Sequence, residues 1–397
     1  MHVVVNGWFW NRPDTGSGQY VRNCMAALAK LAPEVNLTVV VPGDKSHVRR
    51  TSRMSQEMPP NCALRPVTCD LSDWGKLRFE QLTFPRLCRE LGADVAHAPY
   101  WGSPLSPGVP TVVSILDLIP LLLPEYRGGP LVRAYTGLVK ASAQNATLVL
   151  TISESSKRDI VKYLGIPESR VRVTYLAAEA RYSPRRDPVD EAALRRNHPD
   201  LPQEYVLYLG GFDARKNIET LLQVYTWVQE TIGHEYPLVI AGRLPDKRSS
   251  RDDFFHDPRV IMKALEVEDV VRCIGPVAEE DKPALYRGAM AFLYPTRYEG
   301  FGLPALEALA CGVPVVGSNA SSVPEIVGGA GMLVDPDDAR SMAGSLIAVV
   351  TEYELHEKLS DAAVKQAARF SWEKCARETL QAYHDTLAVC TQKLSDG

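Results

Sequence analysis

Short apolar runs alternating with helical patterns predict an α/β chain built on parallel sheets flanked by helices. The alternation stops at Ser183-Pro-Arg-Arg-Asp-Pro-Val-Asp190, continues without an apolar period through His198-Pro-Asp-Leu-Pro202, and restarts at Tyr205. The chain has 397 residues, ample for two separate cores. Two Rossmann-like halves are therefore expected, 1–180 and 204–375, with 181–203 as a surface connection.

In the first half the apolar runs place strands at Val3–Asn6, Leu37–Val41, Asp94–Ala98, Thr111–Leu116, Leu148–Thr151 and Val171–Thr174. Helical spacing covers Gly18–Leu31, Pro130–Ala143 and Glu154–Leu164. Residues 43–75 are polar and weakly periodic and read as a loop or insertion. The second half repeats the pattern, with strands at Tyr205–Leu209, Leu238–Ala241, Val270–Ile274, Ala291–Tyr294, Val315–Val316 and Met332–Val334. From Ala339 the chain is helical, with Ser371 as the cap of a last helix reaching about Val389.

Composition narrows the function classes. An apolar fraction of 45% with 23% charged residues is that of a globular protein, and a net charge of −4 gives nucleic acid no global attraction. The eight cysteines show no Cys-x-x-Cys spacing, which argues against a zinc site and for reduced thiols in the cytoplasm. No run reaches the roughly 18–20 apolar residues of a membrane span; the longest, Ile115–Leu123, is broken by Asp117 and Pro120. Met1–Asn6 reads as a buried first strand rather than a signal peptide.

The most telling stretch is Glu299-Gly-Phe-Gly-Leu-Pro-Ala-Leu-Glu307, between an apolar strand and a helix start. Unpaired N–H groups at a helix N-terminus attract phosphate, and flanking carboxylates accept hydrogen bonds from hydroxyls. Diphosphate plus hydroxyls describes a nucleotide sugar. The plainer alternative is that Pro304 and Glu307 merely suit the helix start, but Glu299 precedes two glycines where no cap requires it. In Tyr208-Leu-Gly-Gly-Phe-Asp-Ala-Arg-Lys-Asn217, Arg215 and Lys216 precede a helix, where cations are disfavoured unless an anion binds. Gly211 would let backbone approach that anion closely.

Other candidates are weaker alone. Asp14-Thr-Gly-Ser-Gly18 follows the first strand but lacks the third glycine of the dinucleotide fingerprint. Asp117 ends an apolar strand, where it would orient an acceptor hydroxyl, act as a base, or simply form a turn. His97 reads as structural, and Asp335-Pro-Asp337-Asp338 as caps rather than metal ligands. No nucleophilic triad stands out. Trp74-Gly-Lys-Leu-Arg-Phe79 and Phe84-Pro-Arg86 mix aromatic and basic residues; a helix packed on the core is the simpler reading, and a lipid-facing surface the alternative.

Together these motifs resemble the family-four retaining glycosyltransferases, and among them the bacterial mannosyl- and hexosyltransferases of cell-surface polysaccharide synthesis. The likeness runs through Gly16-Ser-Gly18, Ser114–Asp117, Thr151-Ile-Ser153, Gly210–Asn217, Glu299–Glu307 and Val313–Ile326. It implies the GT-B architecture, an α/β fold whose two Rossmann-like domains face across a cleft. The first domain would be the acceptor side and the second would hold the nucleotide sugar. The last helix, here 376–397, would cross back to the first domain. By the same resemblance Glu307 would hold the ribose and Glu299 the donor sugar, and the amides of Phe301, Gly302 and Leu303 would meet sugar or diphosphate. Arg215 and Lys216 would stabilise the leaving diphosphate, helped by amides of Gly16, Ser17 and Gly18.

The expected reaction is metal-independent transfer of a hexose (mannose, glucose or a 6-deoxy hexose) to a saccharide or lipid-linked saccharide, with no cofactor. A cytoplasmic location, with contact at the inner membrane face, would follow from such an acceptor. A nucleotide-sugar epimerase of the same fold and a silent donor-binding scaffold are the alternatives. The chain departs from the family pattern at Leu116, where many relatives carry His, and at Gly211, where many carry Arg. An apolar Leu116 would suit the methyl group of a 6-deoxy donor.

Overall fold

The computed structural model describes residues 1–13, 15–44, 46, 47, 51, 58–126, 129–245 and 254–395. The chain divides into two compact units, one made of Met1–Leu176 with the segment from Ser371 onward, the other of Ala177–Phe370.

The first unit is a seven-stranded sheet in the order β3-β2-β1-β4-β5-β6-β7. Its strands are β1 His2–Asn6, β2 Asn36–Gly43, β3 Cys62–Thr68, β4 Val95–Ala98, β5 Thr111–Ser114, β6 Leu148–Thr151 and β7 Val171–Val173. All pairings are parallel. The central strands are covered on both faces, which is why Val3–Val5, Val112–Val113 and Val149–Leu150 read as unbroken apolar runs.

Part of the stretch 43–75 corrects the expectation of a loop. β3 lies there, and a helix starts at Asp73 behind the cap Ser72. β3 is an edge strand that buries Cys62 and Leu64 while Ala63 and Arg65 are exposed, and it contains Pro66. An edge strand needs only one buried face and tolerates proline, so its apolar signal is thin. Residues 45, 48–50 and 52–57 of that stretch lie outside the described residues.

The final helix, Trp372–Ser395, is capped by Ser371, whose Oγ accepts from Lys374 N at 3.1 Å, and it packs in the first unit on the helix Gly16–Leu31. A buried polar chain seals the join. His97 Nδ1 meets Tyr383 Oη at 2.7 Å, His97 Nε2 meets Ser114 Oγ at 2.8 Å, and Tyr20 Oη meets the same Oγ at 2.9 Å. Burial drives the His97 pKa down to about 3, so the ring is neutral and structural, as its sequence setting suggests.

The second unit holds a six-stranded parallel sheet in the order β10-β9-β8-β11-β12-β13. Its strands are β8 Tyr205–Leu209, β9 Leu238–Ala241, β10 Val271–Gly275, β11 Ala289–Tyr294, β12 Val315–Ser318 and β13 Gly331–Val334. The connection expected at 181–203 is not irregular throughout. It contains a helix, Pro188–Asn197, started by Asp187, whose carboxylate accepts from Val189 N at 2.9 Å. Only Leu194 of that helix is buried, too little to give an apolar period in sequence.

The order of the second sheet reverses between β8 and β11. Ligands of open parallel sheets bind beyond the C-terminal strand ends at such a switch point. The loops that leave β8 and β11 there are the ones that contain Arg215, Lys216 and Glu299.

Candidate active site

After β8 the chain turns through Gly210 and Gly211 into a single helical turn, Ala214–Lys216, and then into the helix Ile218–Val228. Asn217 joins them in the left-handed conformation (φ 56°), which asparagine tolerates better than most residues. Its Nδ2 donates to Pro336 O at 2.6 Å and Asp337 Oδ1 at 3.2 Å, which locks the bend. The bend turns Lys216 inward, where its side chain is 8% exposed.

Glu299 lies opposite. Its Oε1 accepts from Lys216 Nζ at 2.5 Å and from Thr296 Oγ1 at 3.0 Å, and its Oε2 lies 2.7 Å from Arg215 Nη1. Arg215 is braced by Asp213 Oδ1 at 3.0 Å from Nε and by Tyr298 O at 3.3 Å from Nη1. Burial alone would raise the Glu299 pKa, but Arg215 and Lys216 outweigh it and hold the carboxyl down at about 2. The backbone of this loop is held by two serines after β12. Ser321 Oγ accepts from Glu299 N at 3.1 Å, and Ser322 Oγ donates to Glu299 O at 3.0 Å and Phe301 O at 2.7 Å.

Gly302, at φ 103°, delivers the chain into the helix Leu303–Ala310. That conformation needs glycine, and no side chain caps the helix start. Phe301 is buried against Phe370, with ring centroids 6.0 Å apart. One turn further, Glu307 is buried and accepts from Tyr286 Oη at 3.0 Å. Burial raises its pKa to about 7, against the opposing pull of Lys282 and the Tyr286 hydroxyl.

The structure thus joins Arg215, Lys216 and Glu299 in one ion cluster, and sets Phe301, Gly302, Leu303 and Glu307 on the helix start that follows it. Gly211 is exposed in the β8 loop, with Tyr208 Oη donating to its carbonyl. Sequence reasoning singled out the stretches that contain Asp213, Ser321 and Ser322 without giving these residues a role, and it missed Thr296 and Tyr286; isolated polar groups carry no periodicity, and only the fold brings them to this site.

The remaining candidates belong to the first unit. Thr15 caps the helix at Gly16, accepting from Gly18 N at 3.1 Å. Gly16 and Ser17 occupy the first turn, and Asp14 lies outside the described residues. Asp117 Oδ1 accepts from Ile119 N at 3.0 Å, a turn-forming bond that is one of the alternatives for this residue, while its carbonyl accepts from Trp101 Nε1 at 2.9 Å. Leu116 is 8% exposed. Phe79 and Phe84 are buried, as a packed helix requires, whereas Trp74 and Leu82 are 69% and 65% exposed.

The three aspartates after β13 have local duties. Asp335 Oδ1 accepts from Asp337 N and Asp338 Oδ1 from Ser341 N, both at 2.9 Å, while Asp337 pairs with Arg297 at 2.8 Å. All eight cysteines are free thiols. Among the described residues no helix is long and apolar enough to cross a membrane.

Comparison with known proteins shows the family and the fold. Residues 190–366 match the family model "Glycosyl transferases group 1", and residues 15–177 match "Glycosyl transferase 4-like domain". The O-antigen chain mannosyltransferase B of Escherichia coli is 35% identical over 272 residues, covering 68% of this chain and 69% of that protein. The serotype-specific mannosyltransferase WbdA of the same organism is 29% identical over 282 residues, covering 69% of this chain but 33% of its own length. Two solved structures share the fold. Sucrose-phosphate synthase from Thermosynechococcus elongatus has a TM-score of 0.75 at 22% identity, covering 98% of this chain and 100% of that one. Anabaena Alr3699/HepE in complex with UDP-glucose has a TM-score of 0.72 at 18% identity, with the same coverage.

Proposed function

The chain belongs to the group 1 glycosyltransferases, with a family 4-like N-terminal domain and the GT-B fold, and from that premise we propose a retaining, metal-independent hexosyltransferase that uses a nucleoside diphosphate sugar. Mannose is the favoured hexose, on the strength of the 35% identical mannosyltransferase. The acceptor is a hydroxyl of a saccharide or lipid-linked saccharide.

One observation carries the reading. Two cations, the buried Lys216 and the half-buried Arg215, share one carboxylate next to an uncapped helix start at the sheet's switch point. In the proposed reaction the bond between the anomeric carbon and the β-phosphate oxygen lengthens, and negative charge develops on that oxygen. Lys216, Arg215 and the amides at Leu303 stabilise it, the kind of preorganised electrostatics that dominates such catalysis. The acceptor oxygen bonds to the anomeric carbon on the same face, and its proton passes to the departing phosphate oxygen. Glu307 holds the ribose hydroxyls, and Glu299, once phosphate takes over its cations, turns to the donor sugar. Neither a protein nucleophile nor a metal enters this scheme: the cations neutralise the diphosphate, and Asp335, Asp337 and Asp338 are engaged in turn, cap and ion pair.

The test is a donor panel of GDP-mannose, UDP-glucose and dTDP-rhamnose with saccharide acceptors, reading product and anomeric configuration by NMR, with and without EDTA. Transfer from GDP-mannose with retained configuration and an unchanged rate in EDTA is expected. Inverted product or loss of rate in EDTA would refute the mechanism, and preference for dTDP-rhamnose would assign Leu116 to a 6-deoxy donor instead.

A further inference from the structure

The second unit has a cavity of about 820 Å³ on the face opposite the ion cluster. It lies at the N-terminal strand ends, where Tyr205 and Ala289 begin β8 and β11 and Val313 lies two residues before β12. The helix Pro188–Asn197 forms one wall and the helix Tyr353–Ala367 another. Its volume is within the range of small-molecule sites, roughly 300–1,000 Å³.

The lining is chemically particular. Arg287 is 7% exposed, and its Nη2 is buried without a hydrogen bond among the described residues. The guanidinium is held on its other edge, with Nε 3.4 Å from Glu191 Oε1, and the nearest carboxylate to Nη2 is Asp190 at 3.7 Å. A buried guanidinium donor that has an ion pair but no hydrogen bond is expensive, and a planar fork of this kind matches an oxyanion. A second guanidinium, the exposed Arg186, stands beside it, donates to the Arg287 carbonyl at 3.3 Å and pairs through Nη1 with Glu191 Oε2, also at 3.3 Å, so one carboxylate is shared by both arginines. The same cavity is lined by the carboxylates of Glu204 and Asp361, which can only accept hydrogen bonds. Oxyanion-binding cations with hydroxyl-accepting carboxylates define one class of ligand.

We propose that this cavity is a second ligand site, separate from the transfer site, for a small phosphorylated polyol such as a sugar phosphate. The phosphate meets Arg287 and Arg186, and the hydroxyls meet Glu204 and Asp361. A chain that consumes activated sugars would thereby also sense a sugar phosphate.

Calorimetry on the full chain with mannose 6-phosphate tests it, with mannose and inorganic phosphate as the partial probes. Mannose 6-phosphate is expected to bind one site, at least ~10-fold more tightly than either fragment. Lys216→Ala, which disables the anion site of the transfer reaction, should leave that affinity unchanged. Arg287→Gln should weaken it by at least ~10-fold. Because Arg287 also anchors a helix, Ala192→Trp provides an independent variant: Ala192 is exposed at the cavity wall, and the indole would fill the mouth without touching the core. Absence of binding, binding lost in Lys216→Ala, or binding untouched by Ala192→Trp would each overturn the proposal. None of these results depends on which sugar the enzyme transfers.

Discussion

Lys216 Nζ donates to Glu299 Oε1 at 2.5 Å, with both side chains at most 10% exposed, and Arg215 shares the same carboxylate. Without phosphate, Glu299 is the counter-charge that makes the buried Lys216 tolerable, and it shares the half-buried Arg215 with Asp213. Its replacement by Gln keeps the shape and removes the charge. Breaking a buried ion pair by deleting one partner costs about 3–5 kcal/mol, so Glu299→Gln should unfold at clearly lower temperature. A nucleoside diphosphate should then restore more stability to Glu299→Gln than to the wild type, because it supplies the missing charge. Thermal unfolding with and without GDP or UDP measures both. The acid side follows from the same pair. Glu299 is held near 2 against an ordinary 4.5, so its contribution is complete above about 4.5 and is lost as pH falls towards 2. Lys216→Ala should lower turnover by at least ~10²-fold, the scale of one lost charge-stabilising group.

Glu307 predicts the opposite sign. Its pKa is raised to about 7 from 4.5, so between those values the folded chain binds more protons than the unfolded one, and stability falls as pH rises through that window. Hydroxyl donation from a ribose favours the ionised carboxylate, so nucleotide binding should release a proton below about pH 7 and tighten as pH rises to about 8. Glu307→Gln should flatten that dependence. Calorimetry in two buffers of different ionisation enthalpy counts the proton directly; no proton release in the wild type would contradict the ribose role.

The fold was legible because parallel strands covered on both faces read as plain apolar runs, as Val206–Tyr208 and Phe292–Tyr294 do. β3 escaped because it is an edge strand containing Pro66 with only one buried face, and the helix Pro188–Asn197 because Leu194 alone is buried in it. At the site, Glu299 and Lys216 were visible as charges where local structure did not need them. Their mutual pairing was not visible: residues 83 positions apart meet only because β8 and β11 are neighbours in the sheet. Thr296, Ser321 and Ser322 were silent for the same reason, since hydroxyls that brace a loop reveal themselves only once the loop is folded.

The join of the last helix yields a structural control. Tyr383→Phe removes the partner of His97 Nδ1 at 2.7 Å and leaves a buried ring nitrogen unsatisfied, at a cost of about 1–3 kcal/mol. Because His97 is held neutral at about 3 against 6.5, its contribution is full above about 6.5 and is lost as pH falls towards 3. Denaturant unfolding should show the loss, while turnover of the folded enzyme at neutral pH stays within a few-fold of wild type. A large fall in turnover without loss of stability would show that this helix takes part in catalysis.

Gly16 and Gly18 separate structure from function in the first unit. A Cβ at Gly18 would lie 1.9 Å from Arg12 O, which is backbone and has little room to yield, so Gly18→Ala should destabilise the helix start and reduce stability. A Cβ at Gly16 would meet nothing within 4 Å, and alanine suits a first helical turn, so Gly16→Ala should be neutral or slightly stabilising. If the Gly16 amide serves the donor diphosphate, the added methyl group intrudes where the ligand approaches. Turnover should then fall by at least ~10-fold in a protein that melts no lower than wild type. Equal stability with unchanged turnover would remove Gly16 from the site and leave the glycines there as a matter of chain packing alone.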